Sequence, residues 1–240
     1  MTLPASGTKI SLSDIQTNLG GANPISLSEY YRGGTYIPST SSSNIPETST
    51  GTNRLGNYYG VPITYEIIGG GGAGGDSWEN NHGAVAATSV QTGSNTTISG
   101  AFLTTIIAPG GVGGVNGVGP NGSAGLAGAA SAYGAGGAGG SKNQSGGSAT
   151  AYGAGGGGGG GDDGGTYDEG GPRGAGGSAG TRLTGSFVSL AGTIITVVIG
   201  AGGAPYGGGS HAGGSGGNGV CIFTKNGVTT TITASGTYTV

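Results

Sequence analysis

Between Gly69 and Gly219 glycine returns at every third position, in short blocks that stop and restart. The clearest are 69–75 (GGGGAGG), 119–128 (GPNGSAGLAG), 134–140 (GAGGAGG), 171–180 (GPRGAGGSAG) and 213–219 (GGSGGNG). Period three belongs to neither an α-helix at 3.6 nor a strand at 2, but to the left-handed polyproline-II-type helix. Such a rod has no internal hydrogen bonds, so when buried it must find partners for its N–H and C=O groups on neighbouring rods. Glycine at every third residue lets backbones approach closely enough to supply them. The spacing predicts a mainly β and irregular fold: a polyglycine-II rod bundle flanked by antiparallel β-strands, with almost no α-helix in the glycine-rich body.

The chain has 240 residues, 64 of them Gly. That content ordinarily signals low complexity. Sparse charge (7 Lys or Arg, 10 Asp or Glu) and dispersed aromatics (11 Tyr, 3 Phe, 1 Trp) point instead to an ordered domain. Ordering each backbone residue costs roughly 1–2 kcal/mol, while a net hydrogen bond returns about 0.5–1.5 kcal/mol. Apolar flanks must supply the difference. Segments 63–68, 96–107, 187–199 and 220–224, rich in β-branched residues, read as those strands.

Two regions are expected, 1–60 and 61–240. In the first, ISLSDI (10–15) recurs as ISLSEY (25–30), and Ser13 and Ser28, each before an acidic residue, suit the first turn of a short helix. Residues 35–53, rich in Ser, Thr and Pro, read as a linker or extended arm. In the second, strands feed directly into glycine: IIGGGGAGG (67–75) and VIGAGGAPYGGG (198–209) look like related entries. Val112, Val115 and Val118 lie three apart and so share one edge of a rod. The tail predicts a hairpin turning at Asn226-Gly227, with a further strand ending at Tyr238.

A formal charge of −3 without a basic run argues against nucleic acid. The G-x-G-x-x-G matches follow from glycine saturation, and no P-loop Lys-Ser/Thr pair accompanies them. A calcium nonapeptide fits poorly at 157–162 and does not repeat, and collagen triplets break off after about three. No apolar stretch approaches the roughly 20 residues of a membrane span, and MTLPASGTKIS has no secretory pattern, so cytoplasmic synthesis without membrane insertion is expected. Cys221 is alone, so it forms no internal disulfide and reads as a small core residue.

Chemistry is therefore sought in the inserts between glycine blocks, since binding residues concentrate in loops on a rigid scaffold. Trp78, Glu79 and His82 lie in one, Tyr133 in another, Asp162, Asp163, Tyr167, Asp168 and Glu169 in a third, and Tyr206 in a fourth. Aromatics there offer stacking area, and carboxylates accept hydrogen bonds from sugar hydroxyls or basic groups. Asp162, Asp163, Asp168 and Glu169 read as a solvated acidic loop ahead of a cation site, and catalysis ranks last because such a loop does not split carboxylate pKa values. No catalytic residue, metal site or cofactor is expected. If short loops join antiparallel rods, 129–133 and 162–169 share a tip that 76–83 also reaches.

The period-three blocks with interleaved polar and aromatic inserts, over about 61–219, resemble glycine-rich bacteriophage virion proteins, especially the polyglycine-II adhesins that cap tail fibres. ISLSDI and ISLSEYYRGG are similar to amino-terminal segments of phage structural proteins. The resemblance implies a virion-located adhesin whose loops bind host surface polysaccharide or an outer-membrane protein, with 1–60 docking on another tail or fibre protein. The β-rich segments 185–199 and 220–240 resemble broader glycine-rich phage domains equally well. They keep open the alternative of a purely structural tail, head-fibre or decoration subunit.

Overall fold

The computed structural model describes residues 3–4, 8–21, 23, 25–37, 39, 45, 58–77, 91–101, 103–116, 123–161, 173–205 and 211–240. These are mainly β: two antiparallel four-stranded sheets and one short α-helix. The strands are β1 (Gly60–Ile68), β2 (Thr96–Gly100), β3 (Leu103–Ala108), β4 (Arg182–Leu190), β5 (Ile194–Val198), β6 (Val220–Lys225), β7 (Val228–Ile232) and β8 (Gly236–Thr239). One sheet runs β4-β1-β6-β7, the other β3-β2-β5-β8. Alternation decides what each buries: in β5, Ile195 and Val197 point inward while Ile194, Thr196 and Val198 face out. Ile63, Ile67, Cys221 and Phe223 of the first sheet meet Ile98, Ala108, Ile195 and Val197 of the second in one core. The β6–β7 hairpin turns at Asn226 and Gly227 with φ 51° and 79°, the two positive values a type I′ turn requires. Gly236–Thr239 is the expected last strand, but it crosses to pair with β5 rather than extending the hairpin.

Residues before Gly60 build a second, smaller core. Helix α1 (Leu12–Leu19) starts at Ser11, whose Oγ accepts from Asp14 N while Asp14 Oδ2 accepts from Ser11 N at 2.8 Å, a complete capping box. Ser13 falls in the first turn, as expected, and the cap is Ser11, because only the residue three before the acid can exchange these bonds. Leu27–Glu29 forms a single 3-10 turn. Ile15, Leu19, Tyr30, Ile37, Ile45 and Tyr58 bury together, and Leu190 of β4 closes the cluster. Tyr58 Oη donates to the Tyr30 carbonyl, and Tyr30 Oη donates to that of Gly20 at 2.7 Å.

Between the strands lie ten glycine-rich runs, none of them helical: 69–77, 91–95, 109–116, 123–130, 135–140, 145–150, 154–161, 173–181, 199–205 and 211–219, called run 1 to run 10 in that order. Their backbone hydrogen bonds repeat every third residue. From run 1, Gly69, Gly72 and Gly75 donate to run 8, Gly70 and Ala73 to run 2, and Gly71, Gly74 and Ser77 to run 10. Its carbonyls accept from runs 3, 7 and 9, so run 1 is bonded to six others. Run 7 is bonded to six as well: it donates to runs 1, 4 and 6 and accepts from runs 5, 8 and 10. The other eight close a ring around these two, in the order 8, 3, 2, 9, 10, 6, 5, 4 and back to 8, each hydrogen-bonded to the next.

Position in this arrangement decides composition. Runs 1 and 7 are buried throughout, and a Cβ on Gly71 or Gly157 would run into the carbonyls of Ala154 or Ala138. In ring runs the glycines face inward, as Gly137 and Gly140 do, while Ala135, Ala138, Val112, Val115 and Leu126 face solvent. Val112 and Val115 thus share an edge, as their spacing predicts, but an exposed one; Val118 lies outside the described residues. Run 7 was not among the period-three blocks, because uninterrupted glycine from Gly155 to Gly161 shows no period.

Candidate functional site

Every strand that meets a run does so at one end of the glycine body. There β1 continues into run 1, β3 into run 3 and β5 into run 9, while runs 2, 8 and 10 lead into β2, β4 and β6. Thr96 joins these layers: its Oγ1 donates to Ile68 O at 2.6 Å and accepts from Gly200 N at 3.0 Å. The turns 131–134 and 151–153 also lie at this end. At the opposite end, Ser77 N donates to His211 O, Gly159 N to Gly75 O, Gly161 N to Ser123 O, Asn143 N to Gly161 O, and Asp76 N to Asn116 Oδ1. The described ends flanking 117–122, 162–172 and 206–210, and the end that precedes 78–90, therefore converge on this distal end, beside the 141–144 turn.

Of the expected receptor residues, Tyr133 alone is described; Trp78, Glu79, His82, Asp162, Asp163, Tyr167, Asp168, Glu169 and Tyr206 lie outside the described residues. Tyr133 does not share the distal end with residues 161 and 173, the described flanks of the acidic segment. It sits at the strand end, because run 4 begins at the distal end and the turn after it must lie a full run away. Tyr133 Oη donates to Glu66 Oε1 at 2.8 Å, and Arg182 grips the same carboxylate through Nε and Nη2 at 2.8 and 2.7 Å. Tyr152 meets the Tyr133 ring edge-on at 5.8 Å. The Arg182 hydrogen bonds hold the Glu66 carboxyl below the usual carboxylate range, and burial with the Glu66 bond pushes Tyr133 up to about 12. This network pins the turn to β1 and β4 and leaves the tyrosine hydroxyl engaged.

No protein-family model, curated protein or solved structure matches the chain.

The distal end carries groups that sequence patterning did not isolate. Asp76 lies at the buried end of run 1, where its Oδ1 accepts from Gly213 N at 2.8 Å. Arg173 opens run 8 and donates through Nη1 to the Ala124 carbonyl at 3.2 Å. Lys142 and Gln144 are exposed in the turn. Among the described residues no group of three His, Cys, Asp or Glu side chains could by itself enclose a metal, and no helix is long and apolar enough to cross a membrane. Cys221 is buried in the core and its thiol is pushed up to about 12 by desolvation, which keeps it protonated and unreactive.

Proposed function

We propose that the glycine body is a polyglycine-II lattice and that the protein is a phage virion adhesin of the tail fibre or tail tip, presenting receptor-binding segments at the lattice's distal end. The observation that carries this reading is the bonding of runs 1 and 7 to six neighbours each, in three-residue register, with connections gathered at one end. A left-handed three-fold rod points successive backbone groups about 120° apart, so a surrounded rod meets neighbours on all sides. Over the 8 residues of run 7 such a rod spans about 25 Å. Because the body is rigid and nearly free of side chains, the segments at its end can vary without disturbing its packing.

In this reading Trp78, Glu79, His82, Asp162, Asp163, Tyr167, Asp168, Glu169 and Tyr206 belong to the segments that meet host polysaccharide or an outer-membrane protein. Tyr133 is reassigned from receptor contact to the seam with the sheets. Residues 1–60, with a core closed by Leu190, are the part that docks on another virion protein. The test is adsorption of the purified chain to candidate host cells and extracted surface glycans. Trp78→Ala with Tyr167→Ala should weaken binding by about 2 kcal/mol or more while the melting temperature holds. Adsorption equal to the parent's would return the chain to the structural-subunit alternative.

A further inference from the structure

We propose that Asp76 anchors a hard divalent cation, calcium in size and ligand preference, where runs 1 and 3 end and run 10 begins. Asp76 is fully buried, and only one of its carboxylate oxygens is used: Oδ1 takes the Gly213 N–H, while Oδ2 has no partner. A buried carboxylate left half-bonded and unpaired is strongly disfavoured. Among the described residues no cationic side chain pairs with it. The sequence has no Lys or Arg between Arg54 and Lys142, and the Arg173 guanidinium is turned to the Ala124 carbonyl on run 4.

Oxygen donors adjoin the Asp76 backbone. Asn116 presents Oδ1, oriented by the N–H of Asp76 that it accepts. The carbonyls of Asp76 and Ser77 accept no hydrogen bond from the described residues. Carboxylate, amide and carbonyl oxygens are the donor set of Ca²⁺, which completes six to eight ligands with water and tolerates irregular geometry; Mg²⁺ demands a stricter octahedron. The site is built from Asp76, Ser77 and Asn116 and differs from the acidic stretch 162–169 weighed in the sequence. It also stands independently of the adhesin reading.

The experiment uses the full chain, dialysed against EDTA and then titrated calorimetrically with CaCl₂ or MgCl₂, with melting temperatures recorded in parallel. Three proteins are compared: parent, Asp76→Asn, and the combined variant Asp162→Asn, Asp163→Asn, Asp168→Asn, Glu169→Gln. The expected result is one Ca²⁺ per parent chain with a raised melting temperature, and a weaker response to Mg²⁺. Asp76→Asn should bind at least about tenfold more weakly, and the combined variant should bind like the parent. Asn keeps an oxygen for Gly213 N–H, so in EDTA this variant should melt no lower than the parent, since it removes an unpaired charge. No calcium response in the parent up to about 10 mM, ten times the weakest usual range of extracellular modules, would overturn the proposal. So would an undiminished response in Asp76→Asn, or an EDTA melting temperature well below the parent's.

Discussion

The sheets and the glycine body are held together by opposite means. In the sheets, side chains bury one another: Phe223 stacks on Tyr238 at 4.4 Å and meets Phe187 edge-on at 6.3 Å, in the core that also holds Ile63, Ile98 and Ile195. In the body almost no side chain is buried, and cohesion comes from backbone hydrogen bonds that require side chains to be missing. The contrast shows why one chain needs both. Glycine bonding roughly balances its ordering cost, and the apolar sandwich into which runs 1, 2, 3, 8, 9 and 10 continue supplies the surplus.

The sharpest way to break this comparison is to add a side chain where none fits. Gly157→Val puts carbon against the Ala138 carbonyl on a backbone hemmed in by six runs, and should cost more than about 5 kcal/mol, so that no folded protein is recovered. A soluble Gly157→Val chain with parental circular dichroism and melting would contradict the packing. Phe223→Ala, which empties the aromatic centre of the sandwich, should cost about 3–5 kcal/mol. Because six runs continue directly into strands, far- and near-ultraviolet signals should fall together on urea titration of this variant; separate transitions would show that the body stands without the sheets.

Much of the body was legible because ring runs alternate inward glycine with outward Ala, Ser, Val or Leu, which prints period three in the sequence. Run 7 was not, since uninterrupted glycine from Gly155 to Gly161 marks no period, whereas run 1, equally surrounded, was announced by Ala73 and by its direct entry from β1. The Asn226-Gly227 hairpin was readable from local turn chemistry, whereas the partnering of β8 with β5 is long-range and leaves no local trace. Asp76 went unisolated for a related reason: its role depends on Gly213 and Asn116, brought alongside by the closing of the ring. The end at which Tyr133 lies follows from counting traversals, and the count was lost without run 7.

Smaller effects sharpen the seam between the two regions. Glu66→Gln loses the ionic half of the Arg182 pair at a partly exposed site and should cost about 1 kcal/mol at neutral pH. The folded-state pKa of Glu66 is lowered, so its contribution is present above the usual carboxylate range and is lost as pH falls through that lowered value. The difference in melting temperature between parent and Glu66→Gln should therefore shrink on acidification; a gap that widens in acid would assign the pair the wrong sign. Least of all, Leu126→Ala on the outer face of run 4 should change stability by no more than about 0.5 kcal/mol in urea titration. A loss above about 2 kcal/mol would mean that this face is covered.

The central claim is that runs 1 and 7 form the hydrogen-bonded interior of the glycine body. Native-state hydrogen exchange, followed by NMR at the glycine amides, measures it directly. Gly71, Gly72, Gly74 and Gly156 to Gly159 should exchange only through global unfolding, as slowly as Ile67 in β1. Exchange of these inner glycines at the rates of an unstructured chain, with Ile67 still protected, would contradict it.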